Sequence, residues 1–120
     1  MAERILIVDD EKAIVKGLKY SIEQDGMETD AAYDGEEALE LARTNHYDLV
    51  LLDLLMPDID GFDAFRKLRE KWPVPIVFIT ADKSIETIQK AVEIGADDYV
   101  TKPFLPIALK ERIHGVIYSI

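Results

Sequence analysis

Three carboxylates that could bind a metal or act as a nucleophile each follow a short apolar run. Asp53 comes directly after four apolar residues, 49–52, and Asp9 and Asp10 follow a second run that ends at Val8. A carboxylate at the buried end of a strand is costly to desolvate unless another group compensates for its charge. Asp53 is therefore either a helix cap or a functional group that the fold has placed, and the surrounding elements decide between these two interpretations.

Strand-like and helix-like segments alternate along the chain. Residues 4–8, 48–53, 76–80 and 98–101 predict short buried strands, and residues 27–32 predict a weaker one. Five further segments have apolar residues at helical spacing, most of them after a capping residue or a proline suited to a helix start. Their apolar positions are Ile14, Val15, Leu18 and Ile22; Ala38, Leu39 and Ala42; Phe62, Phe65, Leu68 and Trp72; Ile85, Ile88, Ala91 and Val92; and Leu109, Ile113 and Val116.

This alternation predicts one α/β domain over residues 1–120, a three-layer, doubly wound (βα)5 sandwich. Helices would cover both faces of a parallel five-stranded sheet. For its strand order we adopt 2-1-3-4-5, the known order of flavodoxin-like doubly wound sheets, because the pattern itself does not order the strands. Because crossovers between parallel strands are right-handed, all the carboxyl ends of the strands lie at one edge. Ligands of such sheets bind at that edge where the strand order reverses, here between the first and third strands.

Five side chains converge at this edge: Asp9, Asp10, Asp53, Thr80 and Lys102. Three carboxylates without a cation would repel one another and raise one another's pKa. Mg²⁺ relieves such repulsion and typically takes one or two carboxylates, water and a phosphoryl oxygen. A carboxylate can also attack phosphorus to give an aspartyl-phosphate. The cluster therefore predicts a Mg²⁺-dependent phosphoacceptor site, with the hydroxyl and the ammonium suited to the phosphoryl oxygens.

Composition excludes several other kinds of protein. A formal charge of −10 argues against a nucleic-acid-binding surface, because phosphate contacts need Lys and Arg. Cysteine is absent, which excludes disulfides and thiolate metal sites. The apolar runs are far too short to span a membrane and no signal-peptide pattern opens the chain. A soluble cytoplasmic domain is the expectation.

Over its whole length the chain resembles the receiver domain of bacterial two-component response regulators. The strand order given above is the one known for CheY, itself a receiver, so the order is carried over rather than worked out from the pattern. The segments that carry the resemblance are Ile7-Val8-Asp9-Asp10-Glu11, Leu52-Asp53 with Met56-Pro57 and Asp60-Gly61, Ile79-Thr80-Ala81, Gly95-Ala96-Asp97-Asp98-Tyr99, and Lys102-Pro103-Phe104.

The resemblance implies a signalling switch rather than an enzyme with turnover. Asp53 would accept phosphate from the phosphohistidine of a histidine kinase, and the domain would assist its own phosphorylation and slow dephosphorylation. Asp10, Asp53 and the backbone carbonyl of Leu55 would bind Mg²⁺ directly, while Asp9 would act mostly through water. These are the ligands that the family resemblance assigns to the present residues.

The resemblance also implies how the signal leaves the site. Lys102 would pair with the phosphoryl group, Thr80 would be drawn towards it, and Tyr99 would rotate inward. The surface formed by the fourth helix, the fifth strand and the fifth helix would then change and control an output domain or partner. The peptide bond between Lys102 and Pro103 is expected to be cis.

The last helix has more apolar residues than one inward stripe needs, and this excess predicts a phosphorylation-favoured homodimer. The competing interpretation is that the last turn packs on chain downstream of these residues. The excess comprises Leu105, Ile107, Ile117, Tyr118 and Ile120.

Three other functions compete with the switch. A haloacid-dehalogenase-like phosphatase also uses an aspartate nucleophile, but Leu55 stands where its second carboxylate would be. A flavodoxin-like FMN carrier would find its phosphate repelled by Asp9 and Asp10. A pure interaction module would not need the complete acidic cluster. Among single residues, Tyr99 has the alternative interpretation of a partly buried core tyrosine, and the two histidines, His46 and His114, have no partner at ligand spacing.

Overall fold

The computed structural model describes residues 2–119, and these form five strands and five helices in strict alternation. Met1 and Ile120, which the predicted domain and the predicted apolar excess include, lie outside the described residues. The elements are β1 (Arg4–Val8), α1 (Lys12–Gln24), β2 (Glu28–Ala32), α2 (Gly35–Thr44), β3 (Leu49–Asp53), α3 (Gly61–Lys71), β4 (Ile76–Thr80), α4 (Ile85–Glu93), β5 (Asp98–Thr101) and α5 (Pro106–Ile117).

All strand pairs are parallel, and the strand order is β2-β1-β3-β4-β5. Val8 lies opposite Leu52, and Asp53 lies opposite Ile79. Thr80 lies opposite Thr101. The carboxyl ends of β1, β3, β4 and β5 therefore stand side by side, and the predicted doubly wound α/β sandwich is confirmed.

Alternating side chains of each strand enter two separate cores, as expected for a sheet covered on both faces. Ile5 and Ile7 of β1 pack in one core with buried residues of α1 and α5. Leu6 and Val8 pack in the other core with buried residues of α2, α3 and α4. The two cores hold the central strands rigidly between helical layers, and the site lies at the edge of these strands.

The predicted helix boundaries agree with the caps in the structure. Asp34, Asp60 and Ser84 each accept a backbone N–H of the helix that follows. Gly26, with φ of 87°, directly follows the C-cap of α1 in the left-handed conformation that glycine adopts without strain. Pro106 is the first residue of α5. Side-chain caps therefore begin three of the five described helices, α2, α3 and α4.

The fourth helix differs from the others. Its sequence has four apolar residues at helical spacing, but only Ala91 is buried. Ile85 and Val92 are 71% and 70% exposed, since little of the chain covers this helix beyond β5. Trp72, expected to face inward, is half-buried against the α3 side of the core. Among the described residues no helix has the length and apolar character to cross a membrane.

Candidate functional site

The three predicted carboxylates meet at the carboxyl edge of the sheet. Asp53 is the last residue of β3, and Asp9 directly follows β1, where its N–H donates to the carbonyl of Ala32 at 3.1 Å. Asp9, Asp10 and Asp53 each offer a carboxylate oxygen within 4.8 Å of the others. Asp9 and Asp53 are buried, whereas Asp10 is exposed. The cluster therefore has a buried floor and one solvent-facing member.

Lys102 reaches this cluster from the end of β5. Its Nζ lies 2.8 Å from an oxygen of Asp9 and 3.3 Å from an oxygen of Asp53. Glu11 also contacts it, at 2.9 Å. The backbone N–H of Lys102 donates to the carbonyl of Thr80 at 2.7 Å, and its bond to Pro103 is cis, as predicted. The ammonium of Lys102 therefore forms ion pairs with three carboxylates.

The pKa values of Asp53 and Lys102 are both raised, which disfavours the charged form of the aspartate and favours the charged form of the lysine. Burial, with the charge of Asp9, raises the pKa of Asp53 to about 6, against the N–H of Leu55 and the charge of Lys102, which lower it. Burial also disfavours the charged Lys102, but hydrogen bonds to Asp9 and Glu11 and the charge of Asp53 outweigh it and raise the lysine pKa. The lysine remains charged, while the Asp53 carboxyl loses its proton at a higher pH than an ordinary aspartate does.

The donor set fits a hard divalent cation. One carboxylate oxygen of Asp9 is buried and lies 2.8 Å from the Nζ of Lys102, which also contacts Asp53 and Glu11. One ammonium faces these three carboxylates and Asp10 lies close by, so a second cation would relieve the remaining repulsion. All the available donors are carboxylate or carbonyl oxygens, which Mg²⁺ prefers over softer ligands. The residues present therefore fit Mg²⁺.

The loop after β3 is tightly held. The Leu55 N–H donates to an oxygen of Asp53 at 3.1 Å, and Leu55 pairs with Asp60 in an antiparallel bridge. The N–H of Gly61 donates to the carbonyl of Leu54 at 3.1 Å. A Cβ at Gly61 would lie 2.4 Å from the Leu54 Cα, so this close approach requires glycine. The backbone beside Asp53 is thus fixed, with the Leu55 side chain pointing into solvent.

Thr80 and Tyr99 are linked through a residue that the sequence interpretation did not single out. Thr80 is fully buried, and its hydroxyl accepts the N–H of Asp82 at 3.2 Å. The Tyr99 hydroxyl donates to the carbonyl of Asp82, and its ring packs against the core, half-buried. Burial, with the charge of Asp82, raises the pKa of Tyr99. The core contact fits the simple interpretation of this tyrosine and the hydrogen bond fits the functional one.

Asp82 also holds the first turn of α4 and the capping residue before it. Its carboxylate accepts the N–H of Ser84 and the hydroxyl of Thr87, and these hydrogen bonds lower its pKa. The Asp-x-Ser spacing before a helical segment was the available signal for this residue. Glu11, the other contact missed, was visible only as the end of the Asp-Asp-Glu run, which does not reveal a partner 91 residues away.

The histidines lie away from the site. His46 is almost fully exposed, and its Nε2 lies 3.8 Å from an oxygen of Asp48. His114, on α5, pairs with Asp25 at the end of α1, 2.5 Å away. Both therefore have local structural or solvent-facing positions.

Comparison with known proteins gives a consistent result. A family model described as the response regulator receiver domain matches residues 5–114. The alkaline phosphatase synthesis transcriptional regulatory protein PhoP of Bacillus subtilis is 41% identical over 119 residues, which are 98% of this chain and 49% of that protein. A CheY-like receiver domain from Methanospirillum hungatei superimposes with a TM-score of 0.93 at 31% identity, over 98% of this chain and 94% of the other.

The beryllofluoride-activated receiver domain of DrrB, a Thermotoga maritima protein, also superimposes closely. Its TM-score is 0.88 at 32% identity, with 98% of each chain covered. The present chain spans about half the length of the curated relatives that it matches.

Proposed function

The chain belongs to the response regulator receiver domain family, and from that premise we propose that Asp53 is its phosphoacceptor. The family is one of phosphorylation-dependent switches in two-component signalling. The observation that carries the assignment is the buried Asp53 carboxylate between Asp9 and Lys102, with a pKa raised to about 6. Because the donor would be the phosphohistidine of a histidine kinase, the domain would act in the cytoplasm.

The proposed reaction transfers one phosphoryl group. An oxygen of Asp53 attacks phosphorus, a P–O bond forms as the P–N bond of the donor breaks, and the imidazole leaves after taking up a proton. Lys102, 3.3 Å from Asp53, favours the ionised nucleophile and is close enough to pair with the transferred group. Thr80, on the neighbouring strand end, offers a hydroxyl to the same group.

Asp10, Asp53 and the Leu55 carbonyl would hold Mg²⁺ directly, with Asp9 acting mostly through water. When bound, the ion would neutralise charge on the carboxylates and the phosphoryl oxygens. The mutual proximity of the three carboxylates, two of which are buried, supports this assignment.

The same residues argue for a switch rather than a phosphatase. A hydrolase that turns over the aspartyl-phosphate needs an acid–base group beside the nucleophile. Leu55 occupies the position two residues after Asp53, and its side chain is 59% exposed and apolar. The protein would therefore assist its own phosphorylation and lose phosphate slowly.

The proposed output surface is the α4–β5–α5 face. Thr80 would move towards the phosphoryl group, and Tyr99 would change its contact with Asp82 as the loop before α4 shifts. This surface displays exposed apolar side chains, namely Ile85, Val92, Leu105 and Ile107. It would control an output domain or partner.

Acetyl phosphate with Mg²⁺ tests the acceptor directly. Intact-protein mass spectrometry should show one added phosphoryl mass on the wild type and on Asp63→Asn, a control at an exposed carboxylate on α3. Asp53→Asn should show none, and omission of Mg²⁺ should suppress the addition. A mass increase that persists in Asp53→Asn would identify another acceptor.

We also propose that phosphorylation favours a homodimer through the α4–β5–α5 face, because contiguous exposed apolar area usually marks an interface. Light scattering at about 100 µM, with and without beryllofluoride and Mg²⁺, should show a mass increase only in their presence. An unchanged monomer mass in both conditions would favour the alternative that downstream chain covers the last turn of α5.

A further inference from the structure

The loop between β3 and α3 is tied to a helix that precedes it in the chain. Both carboxylate oxygens of Asp58 accept the N–H of Gly35 at 3.1 Å, and one of them also accepts the N–H of Glu36 at 3.3 Å. The residues joined are 22 and 23 positions apart in sequence. This carboxylate therefore links the phosphoacceptor loop to the first turn of α2.

The start of α2 uses two carboxylates from different parts of the chain. The first N–H groups of a helix have no partner within it. Among the described residues, the side chain of Asp34, the N-cap, accepts only the N–H of Glu37, at 2.8 Å. Asp58 accepts those of Gly35 and Glu36, and its negative charge is favourable at this end of the helix dipole. The loop thus supplies a cap that α2 lacks locally.

Packing reinforces the link. A Cβ at Gly35 would lie 2.0 Å from the Cγ2 of Ile59, so the loop rests directly on the α2 backbone. At its other end the loop is closed by the Gly61 contact with Leu54 and by the Leu55–Asp60 bridge. Asp58 is the polar contact that holds the tip of the loop to the helical layer.

We propose that Asp58 is a positioning residue for metal and phosphoryl binding at Asp53. Its cap across the chain holds the loop that carries the Leu55 carbonyl in the conformation that binds Mg²⁺. This proposal rests on the function proposed above. Asp58 itself touches neither the metal nor the phosphoryl group, so its effect passes through the loop backbone.

Magnesium titration of the folded domain tests the proposal. Backbone amide shifts in NMR, followed against MgCl₂, give the affinity of the wild type, Asp58→Ala and Asp34→Ala. The last variant is a matched control, because it removes a cap from the same helix without touching the loop. We expect Asp58→Ala to weaken Mg²⁺ binding about fivefold, since outer groups that orient metal ligands typically cost roughly 10–100-fold and this one acts at one remove.

Asp34→Ala should lower the melting temperature as much as Asp58→Ala does and should leave the affinity unchanged. Equal loss of affinity in both variants, or none in Asp58→Ala, would overturn the positioning role. Should circular dichroism show that Asp58→Ala is unfolded, Asp58→Asn decides, with an expected twofold loss against an unchanged affinity if the proposal is wrong. If the wild type binds no Mg²⁺, the proposed metal site is wrong as well. The wild-type titration therefore distinguishes failure of the metal site from failure of the Asp58 role.

Discussion

The centre of the sheet and its β5 edge are packed very differently. Every residue of β3 and β4 is buried, including Asp53 and Thr80. Every residue of β5 is only half-buried, and the adjoining α4 buries Ala91 alone. The proposed acceptor therefore stands on the fully buried central strands, while the proposed output face is the less covered part.

This contrast has a physical logic. A cluster of like charges needs a rigid frame, because carboxylates that could move apart would lose the geometry for metal and phosphate. A surface that must rearrange needs few buried contacts, since those contacts must be broken in each transition. Thr80 lies at the boundary, with its hydroxyl bonded to the Asp82 N–H ahead of α4. In the proposed switch, phosphorylation would shift the conformational equilibrium of this weakly packed β5 edge.

Truncation of side chains in the two regions should give the largest difference. Leu51→Ala removes a fully buried side chain of β3 and should cost about 4 kcal/mol in the free energy of unfolding. Val92→Ala removes a side chain that is 70% exposed and should change it by less than about 0.5 kcal/mol. Urea denaturation measures both, and similar losses would contradict the contrast.

The charge at the centre should make metal-free stability depend on pH. Asp53 has a pKa of about 6 in the folded protein, against an ordinary value of 3.8, so the folded state binds more protons between these values. The protonated Asp53 therefore adds to the free energy of unfolding below pH 3.8, and this stabilisation is lost as the pH rises through 6. With EDTA present, the advantage of Asp53→Asn over wild type should grow by roughly 2–3 kcal/mol from pH 4 to pH 7.

Thermal melts of the Asp53→Asn and wild-type proteins at several pH values measure this growing difference. The exposed-site variant Asp63→Asn should follow the wild type throughout. Parallel pH profiles for Asp53→Asn and wild type would show that burial of this carboxylate has no effect on stability.

The smallest expected change in stability concerns two glycines in the α4–β5–α5 region. A Cβ at Gly115, inside α5, would meet no atom within 4 Å, so Gly115→Ala should stabilise the protein by about 0.5–1 kcal/mol. Gly95, just after α4, has φ of 91°, and Gly95→Ala should destabilise it. Denaturation midpoints of the two variants should therefore move in opposite directions. A loss of stability in Gly115→Ala would indicate a packing constraint on α5.

Sequence reasoning found the site because topology gathers strand ends. Asp9, Asp53, Thr80 and Lys102 each follow or end an apolar run, and parallel strands bring such positions to one edge. The cis bond of Lys102 was predicted from family resemblance and is confirmed. The strand order likewise came from resemblance, because periodicity alone does not order strands.

The features that sequence reasoning missed are contacts across the chain. Helical spacing marked α4, but spacing does not reveal what covers a face, and Ile85 and Val92 are exposed. The partners of Asp58 and Glu11 lie 22 or more residues away, and no local pattern encodes such distances. Local caps such as Ser84 were predictable because both partners lie within one turn.

The central claim is that a phosphoryl group on Asp53 changes the α4–β5–α5 face. Hydrogen exchange on protein with beryllofluoride bound at Asp53 tests this claim most directly. Amide exchange would be measured by mass spectrometry with Mg²⁺ alone and with Mg²⁺ plus beryllofluoride, on the wild type and on Asp53→Asn. In the wild type, beryllofluoride binding at Asp53 should change amide protection in α4, β5 and α5 and leave the β1 and β3 amides unchanged. The Asp53→Asn protein should show no change. Changes confined to the loops that surround Asp53, with α4, β5 and α5 unaffected in the wild type, would contradict the account.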